Sequence, residues 1–589
     1  MAASRSSQRN AREFFELKQR AVQFYKENKV PEKLEEILNA MVYEQPPDVY
    51  GKLSEYFEAI SKPPVISRVQ AHQVLDSRGQ PTLQADVHCI VRGIEKHISS
   101  STMSSFNHLA DSAPLDQKEA EELERKESLT AAIEYIQGPF NDALSGTDPI
   151  QQKEIDHVIS SIINKMKEDK GEKDADENKT QVEICDDAKS EVSKADTKHT
   201  SAKGKKKSGS AKSMTVIVQE PKEPMFCGCN AVCVVSQAMA TTAAAIQDVP
   251  LYEYIASLYQ EEPSYQFSLP IPMVTVLSSG KAAPGKQNLI KEVLIIPKPD
   301  LPYSESLDKL LQIYHQVVKI QFSRVGVSAY YTNDFGAVSP QYDRPDQLLD
   351  HVMEALLALG LTAGEDVFLG LNCAAHELYD PDKGKYEIMS GTLKTGDDML
   401  EVYADIITRY PGVIALIDPL KKHDVVARKK LCAQFSANCF ILGDQAYPRP
   451  EKFLVMGFDN LELNGAVLKL QQMTSVTDLV KTAKMIHDQR CISILTGVQG
   501  ETNDTFLADL AVGIQSTFVK FGAPNRGERV ALYNRLGRIA DQLDSQGAMV
   551  PRSEFPFCAI HQPEPELTDD NTSQIQDDQS IESGSKKGD

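Results

Sequence analysis

The sequence predicts an α/β protein, in which an α+β domain is followed by a β/α barrel of the TIM type and preceded by a helical N-terminal extension. Three observations carry this. From about residue 225 to 557, short apolar runs alternate with helical patterns. Residues 65–164 show strand-like alternation and then a helical stretch. The first 64 residues place apolar side chains at helical three-and-four spacing. A chain of 589 residues is also longer than one hydrophobic core usually supports.

In order along the chain, residues 1–64 form the helical extension. Leu34, Ile37, Leu38, Met41 and Val42 make one apolar stripe, and Val49, Leu53, Tyr56, Phe57 and Ile60 make a second. Gln45-Pro46-Pro47-Asp48 separates them, with Pro47 expected just inside the second helix. Two short helices cannot bury both stripes alone, so a covering partner is implied. Residues 65–164, with 214–224, form the α+β domain: Ile66 to Asp76 and Thr82 to Val91 alternate as strands, and Ser128 to Leu144 reads as helix. Residues 165–213 are almost free of bulky apolar side chains and cannot offset their ordering entropy, so a disordered insertion is expected. Its run Lys203-Gly-Lys-Lys-Lys-Ser-Gly-Ser210 reads as a solvated linker, with a localisation or docking signal as the alternative. The barrel is expected over residues 225–557, with strands ending near Asn372, Ile417, Asp418, Asp444, Lys469, Gly497 and Lys520, where barrel chemistry resides. Residues 558–589 are expected to be a disordered acidic tail.

Composition excludes several classes of function. A net charge of −21 disfavours nucleic acid and anionic membranes, which recruit Lys and Arg. No apolar run is long enough to span a bilayer, and the first residues lack a secretory apolar segment. Ten cysteines in so long a chain fit a reducing cytoplasm, where most are small buried hydrophobes. Cys227-Gly-Cys229 with Cys233 lacks a second ligand pair and reads as structural. No Walker loop, zincin motif or dinucleotide fingerprint occurs.

Several motifs resemble those of the enolase family. They are Asp76-Ser-Arg-Gly-Gln-Pro-Thr82, Cys229-Asn-Ala-Val-Cys-Val-Val-Ser236 with Val249-Pro-Leu-Tyr252, Gly500-Glu-Thr-Asn-Asp-Thr-Phe-Leu-Ala-Asp-Leu510, and Lys520-Phe-Gly-Ala-Pro524 followed by Glu528-Arg529. The resemblance spans residues 65–164 and 214–557, in the right order. It implies a dehydration in glycolysis, from 2-phosphoglycerate to phosphoenolpyruvate, by a lyase that uses a lysine base, a glutamate acid and Mg²⁺ held by three carboxylates. By the same resemblance Lys469 aligns with the base, and Lys520 with the lysine at the substrate's carboxylate end. Glu292 aligns with a substrate-side glutamate and Asp444 with one metal ligand.

Other positions depart from the family pattern. Asn372 and Ile417 occupy the remaining two metal-ligand positions, with Asp418 adjacent. Phe335 replaces the acid glutamate, Thr496-Gly-Val-Gln499 replaces a Ser-His-Arg-Ser contact, and Ala282 replaces a loop histidine. A mobile loop with a metal-binding serine corresponds to Ser99-Ser-Ser-Thr-Met-Ser-Ser105, with no serine assignable. Loss of the acid alone costs about a hundred- to ten-thousand-fold in rate. Three readings follow: an enolase that is weak or assisted by a partner subunit; an inactive structural adaptor, a pseudoenzyme; or, more narrowly, a protein that binds a phosphorylated acid without turnover. The resemblance implies a homodimer or a mixed dimer with another enolase. The arm resembles the dimerisation-and-docking domain of kinase regulatory subunits, which receives an anchoring-protein helix. The plain alternative is an arm packed on its own chain.

Overall fold

The computed structural model of the chain describes residues 2–105, 115–168, 227–260, 266–281, 283–444, 462–472 and 475–557, with side chains described from residue 14 onward. The acidic tail, Ala282 and nearly all of the 165–213 insertion lie outside the described residues, as does 214–224.

Three helices open the chain, Ala2–Glu27, Val30–Glu44 and Val49–Ala59. The second ends where Gln45 turns left-handed, with φ 45° and its amide donating to the Met41 carbonyl at 2.9 Å. Asp48 caps the third by accepting from the Gly51 amide at 2.9 Å. Pro47 therefore lies just outside that helix rather than inside it, because the cap falls on the next residue. Of the predicted stripes, only Ile37 and Met41 are buried, while Leu34, Leu38, Val42, Val49, Phe57 and Ile60 are exposed.

The α+β domain begins with an antiparallel meander of Val65–Leu75, Pro81–Val91 and Ile94–Thr102. Gly79 permits the first tight turn at φ 71°. The third strand goes beyond the two that the sequence alternation marks. Helix Leu115–Tyr135 runs through a π-turn at Ile136–Phe140, with Pro139 inside, into Asn141–Leu144. A further helix covers residues 152–168, so 165–168 are helical where disorder was expected. The amphipathic pattern of Ile155, Ile159, Ile163 and Met166, packed on the domain core, carries the helix past that boundary.

The barrel sheet runs in the order Ile271–Pro272, Phe518–Lys520, Ile492–Thr496, Gly465–Leu468, Phe440–Gly443, Val413–Ile417, Val367–Asn372, Glu292–Pro297 and Val274–Ser278. The first and last belong to one continuous segment around Met273, so the sheet closes on itself. The barrel is not wholly parallel. Glu292–Pro297 pairs antiparallel with both neighbours. No helix intervenes between Ser278 and Glu292 among the described residues, and a short connection can only return the chain antiparallel. This reversal places the first residue of that strand, Glu292, opposite the last residue of its neighbour, Asn372. Both therefore lie at the same mouth.

The barrel interior is filled by Met273, Leu294, Ile296, Leu442, Ile494 and Phe518, among others. Phe555 and Phe557 pack against the strand starts, with the Phe557 ring stacked 4.5 Å from Phe440 and the Phe555 ring edge-on, 4.9 Å from Phe368. These rings close the end of the barrel opposite the mouth. No single described helix is long and apolar enough to cross a membrane.

Candidate active site

Most strands that end at the mouth deliver one or two polar side chains into a shared cavity. Its lining includes Lys291, Glu292, Phe335, Asn372, His376, Asp418, Asp444, Lys469, Val498 and Lys520. The four positions that the enolase resemblance singled out as retained, Glu292, Asp444, Lys469 and Lys520, are thus brought together, and all four are buried. Lys520 Nζ lies 2.7 Å from Glu292 Oε2, and the Asn372 amide donates to the same oxygen at 2.6 Å. That contact fixes the amide orientation, since its oxygen would otherwise face a carboxylate. Burial pushes the Glu292 carboxyl up, but the Lys520 ammonium and the Asn372 amide offset this and hold it below its ordinary value. Glu292 Oε1 is buried with no hydrogen-bond partner among the described residues.

On the other side of the cavity, Lys469 Nζ is ion-paired directly with Asp444 Oδ1. Asp418 turns at φ 47°, a left-handed conformation that aspartate tolerates better than most residues. Its Oδ1 accepts from the Asp444 amide at 2.8 Å, and its Oδ2 lies 3.6 Å from His376 Nδ1. Ile417, one residue earlier, is in register with Asn372 and Leu442. It is fully buried in the barrel's apolar cluster. It forms floor rather than ligand.

Phe335, at the position expected for the acid, stands between two cations. Lys520 Nζ is 5.4 Å and Arg529 Cζ 5.0 Å from its ring centroid. Arg529 donates to the carbonyls of Asp334 and Gln499 at 3.0 and 3.1 Å, which ties the Phe335 loop to the strand end at Thr496. A side chain at Gly497 would crowd that guanidinium at 2.9 Å, so glycine suits the position. The serines at 99–105 do not line the cavity. Ser99, Ser100 and Ser101 point to Thr242, His97 and Thr241, and Ser104 donates to Glu501 Oε2 at 2.6 Å. Ser105 bonds to Asp76, while its amide donates to the Gly500 carbonyl at 2.9 Å. The loop histidine position, Ala282, lies outside the described residues.

The profile of the enolase C-terminal TIM barrel domain matches residues 266–555, and that of the enolase N-terminal domain matches 66–171. The chain is 37% identical to Enolase 4 of Xenopus laevis, over 94% of this chain and 96% of that protein. The chain belongs to the enolase family. Enolase 4 of Homo sapiens is 33% identical over 93% of this chain and 91% of its own length. An enolase of Metallosphaera sedula is 28% identical over 81% and 96%.

The family typically binds Mg²⁺, and the residues at this mouth do not fit it. Mg²⁺ demands about six oxygens in near-octahedral array, with charged carboxylates among them. Here Asp444 is engaged by an ammonium, Asn372 is neutral, and Ile417 contributes no oxygen. Among the described residues, no three His, Cys, Asp or Glu side chains converge as a metal site. This holds for Cys227, Cys229 and Cys233 too; Cys233 is buried, its thiol facing the Leu470 carbonyl.

The sequence reading missed Lys291 and His376 as cavity residues. Lys291 immediately precedes Glu292, so recognising the reversed strand would have brought it to the mouth. It pairs with Glu377 at 2.6 Å. His376 lies four residues beyond Asn372, just past a strand end, which is the signal that was available.

Proposed function

We propose that the chain is an enolase-type lyase of low intrinsic capacity, which binds 2-phospho-D-glycerate at the barrel mouth and converts it slowly to phosphoenolpyruvate and water. The convergence of Glu292, Lys469 and Lys520 in one buried cavity supports this reading. In it, the neutral amine of Lys469 takes the proton alpha to the substrate carboxylate, and Lys520 balances the charge that builds there. Hydroxide then leaves the neighbouring carbon, and the proton taken by Lys469 passes through solvent to that hydroxide, so that one water is released and the amine is restored. Two features make the step slow. Lys469 is held by Asp444, a contact it must give up before it can act as a base. Phe335 has no proton to give the leaving group, which costs about a hundred- to ten-thousand-fold.

The test is phosphoenolpyruvate release by purified protein at saturating 2-phosphoglycerate, with Lys469→Ala as control. Slow turnover abolished by the substitution supports the proposal. Turnover that persists in the variant, or none at high enzyme concentration, rejects it.

A second reading, a structural adaptor, is favoured by the arm. Leu34, Leu38 and Val42 on one helix and Val49 and Phe57 on the next stay exposed, at the spacing of a helix-pairing face. In that reading the arm pairs with a second copy or another enolase subunit and receives an anchoring-protein helix, in the cytoplasm. Loss of self-association on deleting residues 1–64 supports it, and an unchanged mass opposes it.

A further inference from the structure

We infer that the barrel mouth is a metal-free anion site, in which lysine ammonium groups fixed by internal carboxylates supply the positive charge for a small hydroxy acid. The inference rests on the proposed substrate class but concerns how the charge of that substrate is met.

The charge inventory points this way. Among the described residues, the cavity is lined by three lysines, 291, 469 and 520, and three carboxylates, Glu292, Asp418 and Asp444. Charged carboxylates facing the ion are what a divalent-cation site relies on, and the described lining here already matches each carboxylate with a lysine charge. The positive groups are also held in place. Glu292 fixes Lys520 at 2.7 Å, and Asp444 fixes Lys469. The Lys520 ammonium carries three donors, so the one used on Glu292 leaves it able to donate to a ligand.

Two of the carboxylate oxygens at the mouth are already engaged. Asp444 Oδ1 takes Lys469, and Asp418 Oδ1 takes the Asp444 amide at 2.8 Å. The Asn372 amide spends its nitrogen on Glu292, and an Asp there would instead repel that carboxylate. Exchanging carboxylate for amide at 372 and for isoleucine at 417 therefore does two things together. It removes anionic ligands, and it leaves Glu292 to serve as the counter-ion of Lys520. Among the described cavity residues, the buried acceptor without a partner is Glu292 Oε1, which calls for a group with a hydrogen to give, such as a hydroxyl.

The experiment uses the full chain and three probes. Mn²⁺ alone, followed by electron paramagnetic resonance, should show no specific site. 2-Phosphoglycerate, followed by calorimetry, should bind with the same affinity within about twofold in EDTA and in excess Mg²⁺, and about tenfold or more weaker in Lys520→Gln, the loss expected for one charge-assisted contact. Phosphoglycolate serves as the third, a phosphorylated acid that is not an enolase substrate. Its metal-independent binding without binding of 2-phosphoglycerate supports the anion site and rejects the proposed substrate. A specific Mn²⁺ site in the unaltered chain, acid binding that requires Mg²⁺, or no acid binding at all overturns the inference. The paired substitution Asn372→Asp with Ile417→Glu should create a Mn²⁺ signal that the unaltered chain lacks.

Discussion

Replacing Lys520 by methionine removes one charge from a buried pair while keeping most of the side chain's volume. Lys520 and Glu292 are 4% and 2% exposed and 2.7 Å apart. Without the ammonium, the Glu292 carboxylate keeps the Asn372 amide as its donor. Removing one partner of such a pair costs about 3–5 kcal/mol, chiefly because the other charge stays buried. The cost has a defined pH dependence. In the unaltered chain the Glu292 pKa is held low, by Lys520 and Asn372 against the opposing effect of burial. Its contribution is therefore present above the unfolded carboxyl pKa and is lost as pH falls through the folded value. In Lys520→Met, burial prevails and the folded pKa rises, so protonation relieves the penalty. The stability gap between the two proteins should be widest near pH 7.5 and narrow towards pH 5. Urea unfolding at both pH values measures it, and Glu292→Gln in the Lys520→Met background should recover most of the loss. A gap under about 1 kcal/mol at pH 7.5, or one that widens on acidification, would refute the charge assignment.

Further outcomes follow from neighbouring contacts. Ser104→Ala should destabilise the chain by about 1–3 kcal/mol, because buried Glu501 loses a donor at 2.6 Å, and proteolysis should open the Ser104 segment first. The Glu501 carboxyl is already pushed up by burial, only partly offset by Arg529 and Ser104, so this loss should shrink as pH falls and the carboxyl protonates. Gly500→Ala would place a methyl 2.0 Å from Ser105 Oγ and 2.4 Å from Asp76 Oδ2. It should detach that contact between the α+β domain and the barrel rim, read as faster amide exchange at Ser105; unchanged exchange would contradict the packing. Deleting residues 1–64 should leave the barrel's unfolding midpoint unchanged, since an exposed Glu58–Arg92 ion pair joins the arm to the first sheet. A fall in the midpoint would show that the arm is packed on its own chain.

The barrel was legible because its strands are continuous apolar runs separated by helical periodicity, and because polar residues at strand ends must share one mouth. That rule brought Asp444, Lys469 and Lys520 together from sequence positions far apart. It does not reach Glu292, which begins a reversed strand; only the motif resemblance marked it. Periodicity cannot report strand direction, and direction is what carries Glu292 and Lys291 to the mouth. Ile417 was legible as a lost ligand, but its role as apolar floor depends on packing against the barrel interior. The serines were not assignable in sequence because several adjacent hydroxyls are chemically alike. Their partners, Thr242, Thr241, Glu501 and Asp76, come from distant segments.

The most direct measurement is anomalous diffraction from crystals soaked in Mn²⁺ and 2-phosphoglycerate. The account predicts density for the acid beside Lys520 and Lys469, with no anomalous peak near Asp444. A pair of ordered manganese ions bridging Asp444 and the bound acid would contradict it.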